Sequence, residues 1–155
     1  MTSGHVRAVL SSSAQSLYAI KTLRSHGLSA SAIHHVYRSV VIAKLLYASS
    51  AWWGFANPPD LHRINAFIRR GVKCGLCPPK IPTFEQLCQT ADNDLFKNVL
   101  NNADHVLYRL LPAQRNAFKF YNIRKTMHDR ELPDKRNRLI ICNFFNRILY
   151  SNFIT

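Results

Sequence analysis

The sequence predicts an all-α fold, and three observations carry that expectation. Apolar residues recur at steps of three and four along most of the 155 residues. No stretch alternates apolar and polar residues strongly enough to predict a sheet. Helix-capping residues, Asn57-Pro58 and Thr83-x-x-Gln86, stand just ahead of apolar runs. A composition 47% hydrophobic and 19% charged supplies a core and argues against wholesale disorder.

In the first helix Leu10, Ala14, Leu17, Ile20 and Leu23 share one face, with Lys21, Arg24 and His26 off it. Gly27 is a natural stop. Ser29 or Ser31 can cap a second helix. Ile33, Val36, Val40 and Ala43 or Tyr47 continue it, while His34, His35 and Arg38 lie mostly on its other side. From Val40 to Ala56 only Lys44 is charged. A helix apolar all round is buried all round, so this half is expected at the centre of the packing, closed by Trp52 and Trp53. Asn57 then caps a third helix, with Pro58 at N1 and Asp60 at N3 near the positive helix end. Leu61, Ile64, Phe67 or Ile68, and Val72 form its buried stripe. Arg63, Arg69, Arg70 and Lys73 remain mainly exposed.

These elements predict a three-helix, up-down-up bundle over residues 8–76. Residues 77–82, inside the run CGLCPPKIPT, read as a proline-rich linker. Residues 83–155 read as a smaller helical subdomain. There Thr83 to Gln86 matches a capping box, and Phe84, Leu87, Cys88 and Ala91 face one way. Asp92 can recap ahead of Leu95, Phe96, Val99 and Leu100, and Asp104 can cap a short helix through Leu111. Residues 113–137 read as basic, aromatic and irregular, with His128 to Glu131 a solvated mixed-charge loop. Leu139 to Phe153 reads as a final helix.

Net charge is +13. Residues 1–82 hold ten Lys/Arg and one acid, Asp60; residues 83–112 are mildly acidic; residues 113–138 are basic again. Such an excess favours polyanion partners. The N-terminus shows no signal-peptide pattern, and Val40 to Ala56 is too short and too broken to span a bilayer. The expectation is a cytoplasmic or nuclear chain with reduced thiols and no membrane partner.

Catalytic and metal signatures are sparse. Cys74-x-x-Cys77 is half of a zinc pattern, but Cys88 and Cys142 stand alone, so small, half-buried thiols in a turn are favoured over a small metalloprotein. His34 and His35 are adjacent on a helix and make a poor metal pair. No nucleophile elbow and no phosphate-cradling glycine motif occurs. Two-metal phosphoryl chemistry needs clustered carboxylates, and the first 82 residues hold one. No cofactor, no metal ligand and no catalytic residue is therefore expected. The basic helix faces carry no base-reading signature, so any nucleic-acid binding should follow shape and phosphates.

Two blocks then gain meaning. HVRAVLSSSAQSLYAIKTLRSHGL, VYRSVVIAKLLYASSAWWGF and INAFIRRGVKCGLCPP together resemble the region just after the polymerase palm in non-LTR (LINE-type) retrotransposon reverse transcriptases. LFKNVLNNADHVLYRLLP, YNIRKTMHDRELP and CNFFNRILY resemble the C-terminal tail of the same reading frames. The resemblance runs from about His5 to Tyr150. It implies that the first part is a thumb, a helical subdomain holding template–primer duplex against the palm. The palm aspartates of that family have no counterpart here, and Met1 falls at the palm–thumb junction. The expectation is a non-catalytic, truncated piece of a transposable-element polymerase that binds RNA or RNA–DNA backbone with low specificity, and a palm if one is present. Lys21, Arg24, Arg38, Arg63, Arg69, Arg70 and Lys73 are the expected phosphate contacts. The alternative is a helical protein-interaction module with no nucleic-acid role.

Overall fold

The structure is a computed structural model and describes residues 2–114, 128, 130–134 and 137–151. It is mostly helical, with no strand among the described residues; the only pairing of that kind is one isolated bridge, Gln114 with Arg130. The chain forms two compact units, residues 1–89 and 90–155. The division therefore falls beyond the proline-rich segment, because Phe84, Leu87 and Cys88 pack into the core of the first unit. No helix among the described residues is long and apolar enough to cross a membrane.

In the first unit, α1 spans Thr2–Ser25 and begins earlier than its apolar spacing suggests. Its buried line is Val6, Ser13 and Ile20, two turns apart each time. Val9, Leu10 and Leu17 pack beside that line, whereas Leu23 is 43% exposed. Gly27 stops the helix with φ +89°. Ser29 caps α2, Ala30–Val36, through an N–H···Oγ bond from Ala32. The chain then widens into a π-helical turn, Tyr37–Ile42, and tightens into α3, Ala43–Leu46.

The expectation of a continuous, all-buried second helix fails here. Tyr47 is 77% exposed and Val40 40% exposed. The helix breaks after Leu46: Tyr47 turns out of helical geometry and Ala48 takes a left-handed conformation, φ 49°. The indole N–H of Trp52 holds that break open by donating to the Tyr47 carbonyl at 3.1 Å. A short α4, Ser49–Trp52, and a 3-10 turn, Trp53–Phe55, follow. Trp52 and Trp53 are both half-buried and pack against the core. Trp52 stacks on Phe84 with ring centroids 5.7 Å apart and meets the His5 ring edge-on at 4.9 Å.

Helix α5, Pro58–Lys73, matches its sequence signature closely. Asn57 Oδ1 accepts from the Asp60 N–H at 2.8 Å, and Ile64, Phe67 and Ile68 are buried. Gly71 is buried as well, because the Tyr37 ring lies against it. Residues 74–83 form no regular element, yet Leu76 and Cys77 are buried. The capping box is present in both directions: Gln86 N–H donates to Thr83 Oγ1 and Thr83 N–H to Gln86 Oε1. It opens α6, Phe84–Asn101, a single helix rather than two.

The second unit is built around Phe96, Phe144, Ile148 and Leu149. Asp92 does not recap a helix. It is buried in mid-helix and accepts from Arg147 Nη2 at 2.9 Å. The expected helix after Asp104 is replaced by turns and a 3-10 segment, Tyr108–Leu110, and Val106 is 86% exposed. The final helix is split into α7, Arg138–Cys142, and α8, Phe144–Ser151, by Asn143 in extended conformation. His128 is not solvated: it is buried and its Nε2 lies 2.9 Å from the Leu149 carbonyl. Most of the expected irregular basic segment, residues 115–127, 129 and 135–136, lies outside the described residues.

Candidate nucleic-acid interface

All seven expected contact residues are exposed, but they do not form one row. On α5 the positions divide by helical angle. Arg63 and Arg70 flank the buried stripe, whereas Arg69 and Lys73 sit on the outer crest. The Arg70 guanidinium lies 5.8 Å from the centroid of the Phe67 ring, so its stem follows the core margin. Arg69 and Lys73 border a cleft of about 580 Å³ that also touches Asn65, Thr83 and Glu85. That carboxylate is occupied by Asn65, whose Nδ2 donates to both Glu85 oxygens at 2.8 and 3.0 Å.

Lys21 and Arg24 gather at the far end of α5 and line one depression with Cys74. Arg24 Nη1 donates to the Cys74 carbonyl, a cation on the negative end of a helix. Gly75 next to it has φ +67°, and a Cβ there would come 3.0 Å from Arg24 Nη1. Arg38 belongs to neither group; it borders a separate cleft beside the proline-rich segment. Arg63 pairs at 3.4 Å with Asp60 while keeping 57% of its side chain exposed.

Asp60 is the feature that sequence spacing missed. Its expected place at N3 near the positive helix end holds, but that says nothing of its burial, and it is 1% exposed. Its Oδ2 accepts from Ser3 Oγ at 2.6 Å, and Ser3 Oγ accepts in turn from Asn57 Nδ2 at 3.1 Å. Ser3 on α1, 57 residues away, supplies the shorter of its two side-chain contacts, the other being Arg63. Lys44 is likewise drawn in, donating to Ser12 Oγ at 3.0 Å and Ser16 Oγ at 2.9 Å. The i, i+4 serines opposite a single cation were the available sequence signal.

The result is a one-signed surface. Within residues 2–82, nine Lys and Arg side chains are exposed and no carboxylate is: Arg7 and Lys80 join the seven already named. Cys74 and Cys77 are free thiols, half-buried and buried. Burial pushes the Cys77 thiol up to about 11, with the nearby Arg38 guanidinium pulling the other way. Among the described residues no group of three His, Cys, Asp or Glu side chains is placed to hold a metal ion. No protein-family model, curated protein or solved structure matches the chain.

Proposed function

We propose that the first unit is a non-catalytic nucleic-acid-binding module that grips duplex backbone through its exposed cations. The observation that carries this reading is the surface of residues 2–82, with nine exposed cations and its single carboxylate turned inward. A phosphate chain approaching it meets attraction from nine exposed cations, and the carboxylate nearest to them outside this stretch, Glu85 beside Arg69 and Lys73, is half-buried and engaged by Asn65. The distribution of cations over several faces suits contact with backbone rather than base edges. The resemblance to the thumb and tail of non-LTR reverse transcriptases supports the same assignment, with an RNA-directed DNA polymerase palm as the natural companion and the nucleus or cytoplasm as the setting.

Duplex affinity measured against salt tests it. The logarithm of the binding constant should fall linearly with the logarithm of salt, at roughly 0.9 per phosphate contacted for B-DNA. A flat salt dependence would remove the assignment. The second reading, a protein-interaction module, draws on Val40 and Tyr47, which lie seven residues apart and are both exposed. Under that reading, replacing Tyr47 rather than the cations should abolish partner binding.

A further inference from the structure

The cleft beside Arg38 differs from the other basic surface. It measures about 500 Å³, within the usual range of about 300–1,000 Å³ for small-ligand sites. It runs between α2 with its π-turn and the proline-rich segment. Ile42, Ile81 and Leu87 supply an apolar lining, and Cys77, held neutral by burial, adds a thiol. Four nitrogen-bearing side chains border it: His34, His35, Arg38 and Lys80. No carboxylate is among its described lining residues. Cations around an apolar hollow fit a ligand with an anionic edge and a flat apolar body. Imidazole and guanidinium planes are, besides, surfaces on which bases stack.

We propose that this cleft receives one unpaired nucleotide of a single-stranded nucleic acid. The base lies against the apolar lining and the phosphate on Arg38 and Lys80. The inference rests on the nucleic-acid reading above and adds a distinction to it: duplex is held outside by phosphates alone, whereas an unpaired base is taken in. A paired base cannot enter, since its faces are stacked and its edge is engaged; an unstacked one can splay out.

The test uses the whole chain and two labelled 12-mers: oligothymidylate and an abasic strand with the same number of phosphates. Base-bearing strand should bind about fivefold tighter, near the low end of what one stacked base contributes. Ser31→Glu places a negative charge on the cleft border, in the first turn of α2 where acids favour the helix. It should bring the ratio of the two affinities to about one. Lys80→Gln, on an irregular segment, should reduce the ratio without touching a helix. Arg7→Gln, exposed on α1, a helix that contributes no residue to the cleft lining, should weaken both strands alike and leave the ratio unchanged. Equal binding of the two strands by the parent overturns the cleft assignment, as does a ratio that survives both cleft variants. So does displacement of oligothymidylate by polyglutamate of equal charge as readily as by unlabelled strand, which would mark an acidic-peptide site. If neither strand nor duplex binds, the backbone reading itself has failed; if both strands bind equally, only the cleft has.

Discussion

Gly71 and Tyr37 show how finely one residue can be constrained. A Cβ at Gly71 would lie 2.5 Å from Tyr37 Oη and 2.8 Å from Cζ. Gly71→Ala should therefore cost about 1–3 kcal/mol, the usual range for overpacking a core. Tyr37 Oη is buried with no hydrogen-bond partner among the described residues. Tyr37→Phe should for that reason leave stability unchanged or raise it slightly. In the double variant the loss from Gly71→Ala should shrink but persist, because Cζ stays close. Denaturant melts of the four proteins measure this, and strict additivity would contradict the contact. Burial also raises the Tyr37 hydroxyl and the Cys77 thiol above their ordinary values. Both groups stay protonated in the folded chain while the unfolded chain ionises. Their stabilisation is complete below about pH 8.5, the ordinary thiol value, and falls as pH rises beyond it. Each group lowers stability by at most about 1.4 kcal/mol per pH unit. Cys77→Ala should delay the onset of alkaline unfolding toward the tyrosine range, near pH 10. An onset unmoved by the substitution would show that the thiol does not contribute.

At the scale of elements, local chemistry was legible and long-range pairing was not. Helix α5 could be read from Asn57, Pro58 and its apolar stripe, since each acts within one or two turns. Asn57→Ala should accordingly cost about 1 kcal/mol or more, because it removes both the cap and the bond to Ser3. The start of α6 was equally plain from Thr83 and Gln86. The run from Val40 to Ala56 misled because it offers no polar face to set a direction. An i→i+5 turn encloses one residue more than an α turn and so shifts the facing of Val40 within it, while the break after Leu46 leaves Tyr47 exposed. Trp52, in contact with His5 and Phe84 and bonded to the Tyr47 carbonyl, fixes that break. Trp52→Ala should cost about 3 kcal/mol, the lower end for a core aromatic because the indole is half-buried. Asp92 resembled a cap because its partner Arg147 is 55 residues away. Nothing near it in sequence distinguishes a capping acid from a buried ion pair. The candidate site divides the same way: exposure of the seven cations followed from helix faces, but their grouping followed from tertiary packing.

For the whole molecule the sign of the surface charge dominates. Replacing Arg63, Arg70 and Lys73 together with Gln keeps helix propensity similar and removes three charges. Duplex binding should weaken for every sequence tested, and the salt exponent should fall by up to about three contacts' worth. Retained affinity and slope in a folded variant would leave these side chains merely solvated. The inward turn of Asp60 has a further consequence. With Asp60 hidden and Glu85 half-buried against Asn65, the first unit's exposed surface is predominantly cationic and repels itself, and dissolved ions relieve that repulsion. Salt should thus stabilise the chain alone. A bound nucleic acid stabilises it too, but salt strips that partner away. Melting temperature in the presence of duplex should therefore pass through a minimum as salt rises, first falling as the polyanion leaves and then climbing as small ions take over its role as counter-charge.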